Sequence, residues 1–324
     1  MADAGPEPGP EPGTEPGTAA AAAAAPGSET RCGFIAVIGA TNAGKSTLVN
    51  ALVGTKVAIV SRKVQTTRST LRGIAVEGAS QLVLIDTPGI FEPRRRLDRA
   101  MVKAAWGGAG DADETLLLVD AAKGVDEDVE RILAGLKQVK APLLLALNKV
   151  DRVKKERLLE LAADLNARLP FAATFMISAL AGDGIADLKT YLAGAVPPGP
   201  WHYPSDEVSD APLRVRAAEI TREKIYDRLH DELPYQAAVE TTSWQEKQNG
   251  IRIEQTIFVE RDSQKRIVLG KDGSMIKQVS MAARKELGRL LERPVHLFLF
   301  VKVREGWGDD PARYRDLGLD FPKD

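Results

Sequence analysis

Gly39-Ala40-Thr41-Asn42-Ala43-Gly44-Lys45-Ser46 follows an apolar run and precedes a helical one, and its spacing suits a phosphate cradle. Glycines let the backbone curl so that several N–H groups point at phosphate oxygens, and the following helix adds its positive N-terminal end. Lys45 would supply charge to the β- and γ-phosphates, and the Ser46 hydroxyl would bind Mg²⁺. Asp86-Thr87-Pro88-Gly89 closes another apolar run 41 residues after Lys45 (86 − 45). Asp86 can reach Mg²⁺ directly or through water, and the Gly89 N–H can meet the γ-phosphate.

Asn148-Lys149-Val150-Asp151 lies just past the run Leu143 to Leu147. Guanine presents N1–H and an amino group as adjacent donors, and the Asp151 carboxylate can accept both. Adenine lacks that pair, and sites built this way discriminate by roughly 10⁴–10⁵. The Lys149 stem can lie over the ring, and Asn148 can tie this loop to the phosphate loop. Ser178-Ala179-Leu180 would offer backbone N–H to the guanine carbonyl. A GTP/GDP site is therefore expected.

Two segments between these motifs could respond to the γ-phosphate. Ser61 to Leu71 is polar and Thr-rich; a segment ordered by γ-phosphate and Mg²⁺ needs a hydroxyl for the metal. Thr66 and Thr67 are both candidates; we place Thr66 with Ser46 and Asp86 in the metal set, and with Lys45 and Gly89 in the catalytic set. Phe91 to Arg99 would be the second mobile segment. Ile90 stands where Ras-like enzymes carry a water-orienting Gln, so hydrolysis should be slow alone or assisted. Asn42 could hold K⁺ near the phosphates or simply brace the loop.

Far downstream, Gly270-Lys271-Asp272-Gly273 separates two helical stretches. A Gly-x-x-Gly turn can approach a nucleic-acid backbone closely and clamp about four nucleotides. From Arg261 to Arg304 there are eleven Lys or Arg and four Asp or Glu, a net +7 (11 − 4). Lys265, Arg266, Lys271 and Lys277 lie nearest the turn, and Ile267, Val268, Leu269 and Ile276 would line a groove for bases of single-stranded RNA.

Positioning these residues requires two folded units, as 324 residues suggest. Apolar runs at Phe34–Ile38, Gln81–Ile85, Thr115–Val119, Leu143–Leu147 and Phe175–Ile177 alternate with helical stretches such as Asp126–Lys140 and Lys154–Arg168. This predicts an α/β P-loop fold with a mainly parallel sheet flanked by helices, over 33–196. A Pro-rich linker, 197–212, leads to a smaller α+β unit over 213–324. Its expected order is helix (Ala217–Leu233), strand (Tyr235–Lys247), strand (Ile251–Glu260), helix (Ser263–Leu269), helix to Leu291 and strand (Pro294–Val303), which suits a type II KH module. Residues 1–32 read as a disordered tail, neither secretory signal nor transit peptide. No apolar run approaches membrane-spanning length, and the single Cys32 excludes an internal disulfide. The net charge of −1 argues against a protein basic throughout.

From about Gly33 to Leu319 the chain resembles the Era family of bacterial GTPases, which join a G domain to a type II KH domain. The resemblance rests on Gly39–Ser46, Gln65-Thr66-Thr67-Arg68, Asp86–Gly89, Asn148–Asp151 and Ser178–Leu180. It extends to Glu260–Lys265 leading into Ile267–Ile276, and to Trp307-Gly308-Asp309-Asp310. It implies a GTP hydrolase acting in 30S ribosomal subunit assembly through the 3′ end of 16S rRNA. It also implies a cytoplasmic protein with peripheral contact to the inner membrane, and we expect a monomer. Thr41 and Ala43 replace the family's usual Pro and Val without removing a phosphate contact. Asp272 puts an acid where a small or neutral residue is commoner, which works against RNA binding. A single phosphate loop and the lack of a reactive C-terminal Cys argue against a tandem-domain or tRNA-modifying GTPase.

Overall fold

The computed structural model describes residues 29–61, 63, 66–68, 70–229, 233, 237–306, 310, 311, 314 and 318–322. The stretch 1–28, Gln65, Tyr235 and residues 307–309 of the motifs above lie outside them. The first unit runs Arg31–Ile38 (β1), Lys45–Val53 (α1), Leu71–Glu77 (β2), Ser80–Asp86 (β3), Arg96–Gly110 (α2), Glu114–Asp120 (β4), Glu127–Leu136 (α3), Leu143–Asn148 (β5), Lys155–Arg168 (α4), Ala173–Ile177 (β6) and Ile185–Ala195 (α5). Its sheet has the order β2-β3-β1-β4-β5-β6, with only β2 antiparallel to its neighbour. All residues of β3, β4 and β5 are buried, because helices cover both faces. Leu48, Leu52, Leu188 and Leu192 of α1 and α5 pack on one face. Ala105, Ile132, Leu133 and Leu165 of α2, α3 and α4 pack on the other. Every apolar strand therefore ends in a loop at the same edge of the sheet, and there the nucleotide motifs gather.

The second unit comprises Leu213–Arg228 (α6), Ala238–Lys247 (β7), Gly250–Val259 (β8), Asp262–Leu269 (α7), Ser274–Leu290 (α8) and Val295–Val303 (β9). Strand β8 is central, antiparallel to β7 and parallel to β9. Alternate residues Ile251, Ile253, Ile257, Leu297 and Val259 face the helices, against Ala217, Ile225, Val268, Val279 and Leu287. This is the α+β order expected from the sequence.

Several local expectations are corrected. Arg31 and Cys32, assigned to the tail, belong to β1 and pair with Ser80 and Gln81. Helix α2 begins at Arg96, so the expected mobile segment Phe91–Arg99 ends in a helix; Asp98 fixes that start by accepting the Arg94 and Arg95 N–H groups at 3.1 and 3.0 Å. Helix α6 occupies Leu213–Arg228 rather than Ala217–Leu233, starting directly after Pro212. The chain between the units is fastened to the sheet: the Ile74 N–H donates to Val208 O at 2.9 Å, and Gln81 Oε1 accepts from the His202 and Tyr203 N–H groups. At the C-terminus, Tyr314 and Leu319 return to the first unit and bury themselves against Phe91, Ala100 and Met101. Among the described residues, no helix is long and apolar enough to cross a membrane.

Candidate functional site

The phosphate loop joins β1 to α1. Gly44 takes φ 104°, a left-handed conformation, and a Cβ there would stand 2.4 Å from Asn148 Nδ2, so this position requires glycine. The close approach serves a bond: Asn148 Nδ2 donates to Ala43 O at 2.8 Å. Its Oδ1 accepts the Ala179 N–H at 2.9 Å, so one amide joins the phosphate loop to the Ser178–Leu180 segment. Lys149 donates to Asn42 O at 2.8 Å and to Asp120 Oδ2 at 2.6 Å. Asp151 Oδ1 accepts the Ser178 hydroxyl at 2.7 Å, which orients the carboxylate proposed to read guanine. Leu180 is 82% exposed at this mouth. The Ser178 N–H donates to Asp183 O at 3.0 Å. Two of the three amides read from the sequence as guanine donors therefore bond within the protein.

Below the loop, Lys45 is buried and donates to Gly39 O and Ala40 O at 3.0 and 2.9 Å. Burial lowers its pKa to about 8. Asp86, also buried, is pushed up to about 6 by burial, against the pull of Ser46, Lys45 and Thr67. The Ser46 hydroxyl donates to Asp86 Oδ2 at 2.7 Å, and the Thr67 hydroxyl lies 2.9 Å from Ser46 Oγ and 3.3 Å from Asp86 Oδ2. Asp86 Oδ1 is buried with no hydrogen-bond partner among the described residues. An ionisable oxygen left bare beside two hydroxyls is costly. The all-oxygen set fits a hard divalent cation such as Mg²⁺.

The threonine at this point is Thr67. The Thr66 hydroxyl, expected there from the sequence, donates instead to Lys63 O at 2.8 Å. A cavity of ≈ 60 Å³ opens beside these groups, with Thr41, Asn42, Lys45, Ser46, Thr67 and Gly89 in its wall. Thr87 Oγ1 donates to Val37 O at 2.8 Å and the Ile90 N–H to Gly39 O at 3.1 Å, which holds the Asp86–Gly89 turn, Pro88 included, against the loop. Ile90 is fully buried. Asp120 was not read from the sequence; its signal was an acid closing a buried strand, as Asp86 does.

In the second unit, Gly270 takes φ 73° and a Cβ there would meet Met275 Cβ at 2.7 Å. Asp272 and Gly273 are also left-handed, and the turn ends in the N-terminus of α8. Arg266, Lys271, Asp272 and Lys277 are exposed, and Lys265 and Ile276 are half-buried. Ile267 is 55% exposed, whereas Val268, read as a groove residue, is 1% exposed and belongs to the core.

The model of the 50S ribosome-binding GTPase family matches residues 34–149, and that of the KH domain matches 232–308. GTPase Era of Bradyrhizobium sp. (strain BTAi1) is 64% identical over 300 residues, covering 92% of this chain and 97% of the relative. The chain belongs to the Era GTPase family. GTPase Era of Rhizobium meliloti is likewise 64% identical, over 295 residues, covering 91% of this chain and 94% of the relative. Two solved Era structures superpose with a TM-score of 0.85 at 34% identity, each covering 89% of this chain and 99% of the other. One is a complex with MgGDPNP and nucleotides 1506–1542 of 16S ribosomal RNA; the other is Aquifex aeolicus Era bound to GDP and AlF4⁻. Like its family, the protein is a GTP hydrolase with a G domain followed by a KH domain.

Proposed function

We propose that this Era-family GTPase binds the 3′ end of 16S rRNA through its KH half and assists assembly of the 30S subunit, with GTP hydrolysis setting when the RNA is held. The observation that carries the nucleotide part is the bare Asp86 oxygen beside Ser46 and Thr67 at the foot of the phosphate loop. Mg²⁺ held there would neutralise charge on the β- and γ-phosphates. Lys45 would leave its carbonyl partners for phosphate oxygens, the amides of 39–46 and Gly89 would grip the triphosphate, and Asp151 would accept the guanine donors. With Ile90 unable to orient water, assistance falls to another group; a K⁺ ion beside Asn42 is the candidate. The RNA part is supported by the Gly270–Gly273 turn, its flanking cations and the exposed Ile267, and by the RNA complex of the solved relative. The family resemblance supports a cytoplasmic monomer with peripheral contact to the inner membrane.

A second reading keeps GTP as a structural ligand only, with no effect on RNA. RNA affinity measured with GDP and with a non-hydrolysable GTP analogue separates the two; equal affinities would remove the switch. Gly270→Asp with Gly273→Asp is expected to abolish crosslinking to small-subunit rRNA while GTP binding persists. Unchanged crosslinking would move the RNA site elsewhere.

A further inference from the structure

Helix α6 is the first element of the KH half, yet one of its faces is occupied by the segment carrying Thr67. Glu219, Arg222, Glu223 and Tyr226 recur at three- and four-residue spacing and so form one stripe. Arg222 is 3% exposed, and its Nη2 donates to Thr66 O at 2.5 Å. Glu219 grips the Nε/Nη2 edge of the same guanidinium, with Nε–Oε1 at 2.7 Å and Nη2–Oε2 at 2.5 Å. Arg68 reaches the opposite way; it is 4% exposed and donates to Tyr226 Oη at 3.0 Å and Ala237 O at 2.8 Å. The Val60 N–H donates to Glu223 Oε1 at 2.9 Å, and Lys63 Nζ donates to Leu229 O.

Residues 60, 63, 66 and 68 are thus fastened to the KH half on both sides of Thr67, whose own hydroxyl faces Ser46 and Asp86. We infer that Arg222, oriented by Glu219, is a positioning residue for GTP hydrolysis, holding the Thr66 carbonyl so that the Thr67 hydroxyl is presented to Mg²⁺. This rests on the reading that Thr67 is a metal ligand. The physical reason is entropic. A polar loop pays conformational entropy for each residue it orders, and anchoring its carbonyl to a buried, two-point guanidinium orders it before the metal arrives. The planar fork suits the task better than a lysine, because it can serve the carboxylate and the carbonyl together.

The test uses the full-length protein, following steady-state GTP hydrolysis against Mg²⁺ concentration, GDP affinity and thermal melting for Arg222→Gln, Glu219→Gln and Thr67→Ala. Thr67→Ala should raise the Mg²⁺ concentration for half-maximal rate; if it does not, the metal assignment of Thr67 fails. If it does, Arg222→Gln should shift the same concentration upward by roughly fivefold or more. It should also lower kcat about tenfold. GDP affinity, which needs only the phosphate loop and Asp151, should change less than about twofold. Glu219→Gln should shift the Mg²⁺ dependence in the same direction, and Arg222→Gln should add nothing in the Thr67→Ala background. A Thr67→Ala response with unchanged Mg²⁺ dependence in both α6 variants would overturn the inference. So would a loss of GDP affinity in Arg222→Gln equal to its loss of rate. If Arg222→Gln fails to melt cooperatively, the Glu219→Gln result decides alone.

Discussion

At the scale of single residues, the proposed guanine specificity and metal binding rest on two carboxylates in opposite surroundings. Asp151 stands at the open mouth with one oxygen satisfied by Ser178. Replacing it by Asn turns two acceptors into an acceptor and a donor. Asp151→Asn should therefore weaken GTP binding by about 10²–10⁴-fold. Xanthosine triphosphate, with a carbonyl in place of the amino group, should gain affinity; calorimetry with both nucleotides checks this. Asp86 is buried and held above its usual range, moving from 3.8 to about 6. Between those values the folded protein binds more protons than the unfolded chain, so this group's contribution to stability falls as pH rises through that window and stays lost above it. Lys45, lowered from 10.5 to about 8, acts in the other direction: between those values the unfolded chain binds more protons, and stability returns as pH rises. Asp86→Asn should consequently stabilise the nucleotide-free protein at pH 7, by on the order of 1–3 kcal/mol, and abolish the stabilisation given by Mg²⁺. Urea unfolding midpoints with and without Mg²⁺ measure both effects.

At the scale of elements, legibility followed the periodicity. The fully buried strands β3, β4 and β5 stand out because parallel strands covered on both faces are uninterrupted apolar runs. Strand β2, an edge strand with Arg72 exposed and Gly73 in its middle, has no such run and was not read. Helix α2 was hidden because Arg94-Arg95-Arg96 looks like a solvated loop until Asp98 is seen capping it. The motif residues were legible since their chemistry fixes their spacing. Thr67 was not separable from Thr66, because only the backbone's path decides which of two neighbouring hydroxyls faces Ser46. Helix α3 offers a clean check of cap energetics. Asp126 accepts the Val129 N–H at 2.9 Å, and Asp126→Ala should lower stability by about 1 kcal/mol without changing GTP turnover. A loss of turnover comparable to a phosphate-loop variant would show that the start of α3 is coupled to the phosphate loop through the β4 end that carries Asp120.

At the scale of the whole molecule, the two halves share an ionic seam as well as the Thr67 segment. Lys56 meets Glu223 at 2.7 Å and Glu286 at 2.5 Å, and Lys224 meets the same two acids at 2.5 Å each. Residues on α1's exit, α6 and α8 are thereby locked into one charge lattice, although a content of 27% charged residues does not reveal which of them pair. The C-terminal segment closes the assembly from the other side: Asp320 meets Lys103 at 2.9 Å, and Phe321 lies under Arg96. Removing residues 310–324 should expose Phe91 and Met101, increasing binding of a hydrophobic dye and lowering the melting temperature while GTP binding persists. An unchanged dye signal would mean that α2 finds another cover.

That closing segment also sets an order of events in biosynthesis. The first sheet and its helices have all been translated once Ala195 leaves the peptidyl-transferase centre, but the patch around Met101 waits for Tyr314 and Leu319. At about 5–20 residues per second that wait lasts roughly 6–25 s. During this time a nascent GTPase half presents an open greasy surface, one that a cotranslational chaperone could hold until the last residues arrive to replace it.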